Sequence, residues 1–168
     1  RQRQMCIRDR LQTALTDEAT AEAARRIITQ IAESMPLETD ALDASESRLA
    51  ASLIRELAPV NADAQIAATK KVLLDADVLP KLLKALDQDE WSVLRSSLRE
   101  PVSDALSNLV DETAGDGLAR FCALGGAKVL TRLIERSRGG EIEAYIVICQ
   151  CFSVSPDHRL RDEFIESF

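Results

Sequence analysis

The sequence predicts an all-α protein, a solenoid of about three stacked helical repeats. Three observations support this fold class. The 168 residues are 46% hydrophobic but only 4% aromatic, and alanine and leucine dominate, a composition that favours helices. Apolar residues recur at helical spacing along most of the chain, and no segment shows the alternation of a strand. A short apolar pattern also recurs at intervals of 51 residues.

The first ten residues, 1–10, differ from the rest. They have no helical apolar stripe, and Met5–Asp9 resembles the translated end of a sequencing-library adapter. We therefore treat 1–10 as an artefactual, disordered segment outside the fold, with a basic targeting arm as the alternative. The segment's four arginines and one aspartate carry +3, so the net charge of −7 becomes −10 without it.

Apolar stripes separated by turn residues predict the helices of the remaining chain. The residue before Pro36 avoids helical geometry, and Pro101 is expected to kink or split a long helix. The pair Gly125–Gly126 predicts a sharp corner between two helices. The predicted helical segments are 11–35, 45–57, 64–74, 78–86, 91–110, 118–124, 127–136, 141–152 and 159–168.

The repeat is clearest in three segments that superpose without gaps, 26–31, 77–82 and 128–133. Each reads polar, apolar, apolar, two spacers and apolar, and each is followed by a turn and a longer helix. A short helix then leads into the next unit. The unit is therefore a short, a middle and a long helix, and these helices bury their apolar stripes only against neighbouring units.

The repeats divide residues 11–168 into one domain of stacked units. The chain is expected to be a fragment, because it begins in the adapter-like segment and ends within a predicted helix. The predicted units are 11–58, 59–111 and 112–155, with a further unit beginning at 156–168.

Two segments, ALSNLV at 105–110 and FCALGGAKVL at 121–130, resemble the armadillo repeat. The typical armadillo segment is ALxNL, a polar turn, a short helix and then GGxxxL at the start of the second helix. The resemblance implies a right-handed armadillo-type α-solenoid. Armadillo units run about 40–47 residues, so we expect longer loops near 36–43 and 88–101. HEAT repeats and a plain helical bundle are the alternative folds.

Cysteine and histidine do not form a pattern typical of catalysis or metal binding. Cys149 and Cys151 lie on different sides of a predicted helix, so they would chelate one metal ion poorly. Cys122 is interpreted as a core residue. His158, the only histidine, has no nucleophile elbow to accompany it. We expect no enzymatic activity and no metal.

Nucleotide and membrane motifs also do not emerge. The pair Gly115-x-Gly117 lacks the third glycine of a dinucleotide-binding loop, because Arg120 stands there. The longest uncharged apolar run, 144–149, is far shorter than a membrane span. The acidic charge argues against binding to a nucleic-acid backbone. We therefore expect no cofactor, no nucleic-acid partner and no membrane span.

The third helices of armadillo proteins line a groove in which partners lie as extended peptides. The resemblance therefore places partner-binding residues on this chain's third helices. These residues are Asp104, Ser107, Asn108, Asp111 and Gln150, with Val147 and Cys151 beside them. Asn108 occupies the position from which nuclear-import receptors hold peptide backbone, but Asp104 stands where those receptors have tryptophan. An alternative role for Asn108 is a bond to local backbone at a helix end.

The resemblance implies a non-catalytic scaffold that binds a protein partner, and the acidic charge favours a partner with a basic segment. Three alternatives remain: an armadillo-type exchange or chaperone factor for small GTPases, a co-chaperone that speeds ADP release from a heat-shock chaperone, and a solenoid appendage of a larger enzyme. Three cysteines in residues 11–168 do not make a disulfide framework. We expect the cytoplasm as the location, with the nucleus as the alternative.

Overall fold

A computed structural model describes residues 2–34, 44–59, 64–87, 93–110 and 116–136 of the chain. Within these ranges the regular structure is helical throughout, which confirms the all-α prediction. The helices are α1 (Gln2–Thr16), α2 (Ala21–Glu33), α3 (Ala44–Leu57), α4 (Ala64–Asp75), α5 (Val78–Leu86), α6 (Val93–Val110), α7 (Gly117–Ala123) and α8 (Gly126–Arg136). The helices predicted at 141–152 and 159–168 lie outside the described residues.

Most helix bounds agree with the sequence to within one residue, but the single helix predicted over 11–35 is wrong, since α1 and α2 are separate. The turn between them is built by Asp17. Its Oδ1 accepts a hydrogen bond from the backbone N–H of Ala19 at 3.2 Å, and its Oδ2 accepts one from the Thr20 hydroxyl at 3.1 Å. An aspartate that bonds the following backbone competes with helix continuation.

Helix α1 begins at Gln2 and so includes most of the segment 1–10, which the sequence analysis left outside the fold. The part of α1 that anchors it is its second half. Leu11, Gln12 and Leu15 are buried, and the Gln12 side-chain amide donates a hydrogen bond to the Leu57 carbonyl of α3 at 3.2 Å. The buried half thereby fixes α1 against the rest of the chain.

Helix α6 continues through Pro101, so the proline does not split it. Proline lacks the N–H that would bond the carbonyl four residues earlier, and this normally weakens a helix interior. Packing supplies the compensation, because α6 contacts α3, α5 and α7. The buried apolar residues of its second half are Val102, Ala105, Leu106, Leu109 and Val110.

Three pairs of helices that the repeat pattern predicts to correspond are in contact. Helix α3 packs along α6 in the most extensive contact of the described chain, α1 packs against α4, and α5 packs against α8. One apolar cluster continues through all eight helices that the structure describes. Representative members are Leu15, Ala24, Ile54, Leu73, Leu82, Leu106, Phe121 and Leu130.

One repeat position shows how burial changes along the chain. Val78 of α5 and Val129 of α8, 51 residues apart, are 0% and 7% exposed. Ile27 occupies the same position in α2, and it is 45% exposed. The same position of the sequence pattern is therefore buried in α5 and α8 and nearly half exposed in α2.

The corners before α5 and α8 each use a residue in the left-handed region. Asp77 precedes α5 with φ 53°, and Gly125 precedes α8 with φ 72°. The corner predicted at Gly125–Gly126 is therefore present. Asp77 takes this conformation before α5, where a short polar side chain tolerates it better than most.

Candidate functional site

Helices α3 and α6, the predicted third helices of two units, present a partly exposed polar face, which we call the third-helix surface: Arg55 and Glu56 of α3 with Asp104 and Asn108 of α6. Arg55 is its centre. Its Nη1 lies 3.3 Å from Asp104 Oδ2, and its Nη2 lies 3.2 Å from Glu56 Oε1. Its backbone carbonyl accepts a hydrogen bond from Asn108 Nδ2 at 3.3 Å. One arginine therefore joins two successive third helices.

The packing of α3 on α6 produces this arrangement. Ile54 and Leu57 of α3 and Ala105 and Leu106 of α6 are buried, so the polar residues next to them are turned toward the edge of the interface. The side chains of Arg55 and Glu56 are each 31% exposed, and that of Asp104 is 41% exposed. Ion pairs as accessible as these contribute about 0–1 kcal/mol each to stability. Because the charged side chains remain partly exposed, they are available to a partner.

The structure brings together two of the five residues that the resemblance selected, Asp104 and Asn108. Ser107 lies between them but is buried. Asp111 and Gln150, like Val147 and Cys151, fall outside the described residues. The bond of Asn108 is not local, because its acceptor carbonyl belongs to a residue 53 positions earlier in the chain.

Sequence reasoning missed Arg55, the residue that organises the surface. A signal for it was present, because Arg55 lies 49 residues before Asp104 and carries the opposite charge. Opposite charges at nearly corresponding positions of consecutive third helices predict a contact between units. Glu56 occupies the place of Asn108 in the preceding unit, and it is within reach of Arg55 because it follows Arg55 directly in the chain.

A second polar cluster joins α4 to α7 through Arg120. Its Nε lies 2.7 Å from Asp116 Oδ2, its Nη2 lies 3.0 Å from Asp75 Oδ1, and its Nη1 donates to the Leu74 carbonyl at 2.9 Å. The Arg120 hydrogen bond lowers the pKa of Asp116 below its ordinary value of 3.8, and the bonds from Asp116 and Asp75 raise the pKa of Arg120. Both groups stay charged at neutral pH, which suits a structural tie between helices.

Candidate metal ligands do not gather in the described ranges, where no group of three or more histidine, cysteine, aspartate or glutamate side chains is placed to hold an ion. Cys122 of α7 packs against the apolar core, as the sequence indicated. The other candidates for this chemistry, Cys149, Cys151 and His158, fall outside those ranges.

No similar known protein points to a function for this chain, so the functional proposal depends on its own residues. Of the helices that the structure describes, none combines the length and apolar character needed to cross a membrane. No protein-family model, no curated protein and no solved structure matches the chain.

Proposed function

We propose that this chain is an armadillo-type solenoid that serves as a protein-binding scaffold, and that it holds a basic segment of a protein partner on the third-helix surface. The observation that carries the proposal is the joining of α3 and α6 by Arg55, which makes the exposed polar residues of two units one continuous surface. A surface that continues across units suits an extended peptide.

The repeat character rests on correspondences between units. The six-residue pattern recurs at 51 residues, and three pairs of helices at corresponding places, α1 with α4, α3 with α6 and α5 with α8, contact one another. Lys81 of α5 and Arg132 of α8 are also 51 residues apart, and each bonds to the end of the preceding middle helix, at the Ala32 carbonyl and at Asp87 respectively. A plain bundle has no reason to repeat such a contact.

The charges of the third-helix surface support a basic segment. Its three charged side chains sum to −1, and Arg55 bonds one oxygen of each carboxylate, Glu56 Oε1 and Asp104 Oδ2. The second oxygen of each has no other hydrogen-bond donor among the described residues, so each can accept a bond from a lysine or arginine of the partner. The proposed location remains the cytoplasm.

The proposal predicts that a lysine- and arginine-rich peptide, such as the basic tail of a small GTPase, binds in a salt-sensitive manner. The double variant Glu56→Gln/Asp104→Asn should weaken binding about fivefold, since two accessible ion pairs contribute about 0.2–1 kcal/mol each. Fluorescence anisotropy of the labelled peptide at low and high salt measures the change.

A matched control separates the surface from net charge. The variant Glu18→Gln/Glu33→Gln also removes two negative charges, but from exposed positions on the turn before α2 and at the end of α2. It should leave peptide affinity unchanged at either salt concentration. Equal weakening by both variants would show that only the overall charge matters and would contradict the proposed surface.

A further inference from the structure

A groove of about 580 Å³ lies between the middle helices α5 and α8, away from the third-helix surface. Part of its lining is apolar, from Leu83, Leu124 and Val129. Leu124 is 45% exposed, which makes it one of the few large apolar side chains that the described part of the chain leaves in solvent. It stands at the corner before α8, where burial of its side chain by a ligand would be favourable.

The charged residues of the groove are mostly basic, although the chain as a whole carries −7. Arg132 Nη2 lies 2.8 Å from Asp87 Oδ2, so these two charges compensate each other. Lys84 and Lys128 are exposed, and neither ammonium forms an ion pair with a carboxylate of the described residues. Within the described ranges, the groove therefore carries two positive charges that no carboxylate pairs with.

The two lysines differ in how their charge affects the stability of their own helices. Lys84 lies in the last turn of α5, where a cation interacts favourably with the helix dipole. Lys128 is the third residue of α8, where a cation opposes the positive end of the dipole. Helix stability therefore does not explain the presence of a lysine at position 128, whereas binding of an anionic ligand in the groove does.

We propose that this groove docks an acidic segment of a partner protein, with an apolar side chain against Leu83, Leu124 and Val129 and carboxylates on Lys84 and Lys128. Charge complementarity selects this occupant, because a basic peptide would meet two like charges here. The groove and the third-helix surface thus select segments of opposite charge, so the inference does not depend on the function proposed above.

The test uses a labelled peptide of alternating glutamate and leucine, titrated with the full chain by fluorescence anisotropy. The variant Lys84→Gln/Lys128→Gln should weaken binding about tenfold, and Leu124→Ser about threefold, because one removes the charge contacts and the other the apolar contact. All three side chains are exposed, so the variants are expected to fold, which circular dichroism checks.

The matched control is Lys71→Gln/Arg48→Gln, which removes two exposed positive charges from α4 and α3. It should bind the acidic peptide as the unchanged chain does, and a peptide with glutamine in place of glutamate should bind poorly to every variant. Equal weakening by both pairs of substitutions, or no binding of the acidic peptide at all, would overturn the proposal.

A second copy of the chain is the competing occupant, and analytical ultracentrifugation distinguishes it. Self-association that Lys84→Gln/Lys128→Gln abolishes would reassign the groove to contacts between copies and would also overturn the proposal. A monomer that binds the acidic peptide, with the loss confined to the groove variants, is the expected result.

Discussion

At the scale of single residues, the corner between α7 and α8 depends on two glycines for two different reasons. Gly125 has φ 72°, a conformation that side chains disfavour, but the space around its Cα is open. Gly126 has ordinary helical geometry, but a Cβ there would overlap the Cδ2, Cε2 and Cζ atoms of the Phe121 ring. Phe121 is buried in the core, so its ring has little room to move away.

We predict that Gly126→Ala lowers the free energy of unfolding by about 2 kcal/mol, within the range for overpacking a well-packed site. The clash outweighs the advantage of alanine over glycine in a helix, which is at most about 1 kcal/mol. Urea denaturation followed by circular dichroism measures the change.

Two further variants identify the cause. Gly125→Ala should lower the free energy of unfolding by about 1 kcal/mol from backbone strain alone. Replacing the ring with a smaller side chain in Phe121→Leu should not reduce that loss. The same Phe121→Leu change should reduce the cost of Gly126→Ala, because it removes the atoms that clash. A Gly126→Ala cost that is the same in both backgrounds would contradict the packing explanation.

Sequence alone predicted the glycine corner because glycine is the residue that such a turn favours. It did not predict the turn at Asp17, since residues 17–20 are individually compatible with a helix and the turn depends on the hydrogen bonds that Asp17 makes. Arg55 was missed for a similar reason, because its role appears only when α3 and α6 are side by side. Asp104 and Asn108 were found through the armadillo resemblance.

At the scale of helices, the position shared by Ile27, Val78 and Val129 separates the effect of sequence from the effect of stacking. The three residues are similar in shape and occupy the same place in the 51-residue pattern, although Ile27 is the seventh residue of α2, Val78 the first of α5 and Val129 the fourth of α8. Their burial differs because the neighbours of α2, α5 and α8 differ. By hydrophobicity alone, Ile27 would be expected to contribute more to stability than Val78 or Val129. Its exposure indicates that it contributes the least of the three.

We predict that Val78→Ala lowers the free energy of unfolding by about 2 kcal/mol, from lost burial and the cavity left behind. Ile27→Ala should cost less than about 1 kcal/mol although it removes more atoms, because nearly half of that side chain is already in solvent. Chemical denaturation of the two variants under the same conditions measures both. A larger loss for Ile27→Ala would show that α2 is covered in solution.

At the scale of the whole molecule, two similar contacts join α5 to α2 and α8 to the end of α5. Lys81 Nζ donates to the Ala32 carbonyl at 2.8 Å, in the last turn of α2. Arg132 makes the corresponding contact with Asp87, the residue that ends α5. Each cation lies at a helix C-terminus, where unpaired carbonyls and the helix dipole favour positive charge. Both contacts therefore join helices that are neighbours in the predicted repeat.

The proposed solenoid predicts that a disturbed contact acts locally, because stability in a stacked array is a sum over units and neighbouring interfaces. Lys81→Met should raise amide hydrogen exchange about fivefold in the second half of α2, as expected for a lost charged hydrogen bond that is partly exposed, and leave α8 unchanged. Arg132→Met should raise exchange at the end of α5 and in α8 and leave α2 unchanged. Methionine keeps the apolar stem of either side chain, so packing is preserved. Hydrogen exchange with mass spectrometry measures both variants, each serving as the control for the other.

A single cooperative bundle would instead show the same increase in amide hydrogen exchange in α2, α5 and α8 for both substitutions. That result would contradict the proposed solenoid.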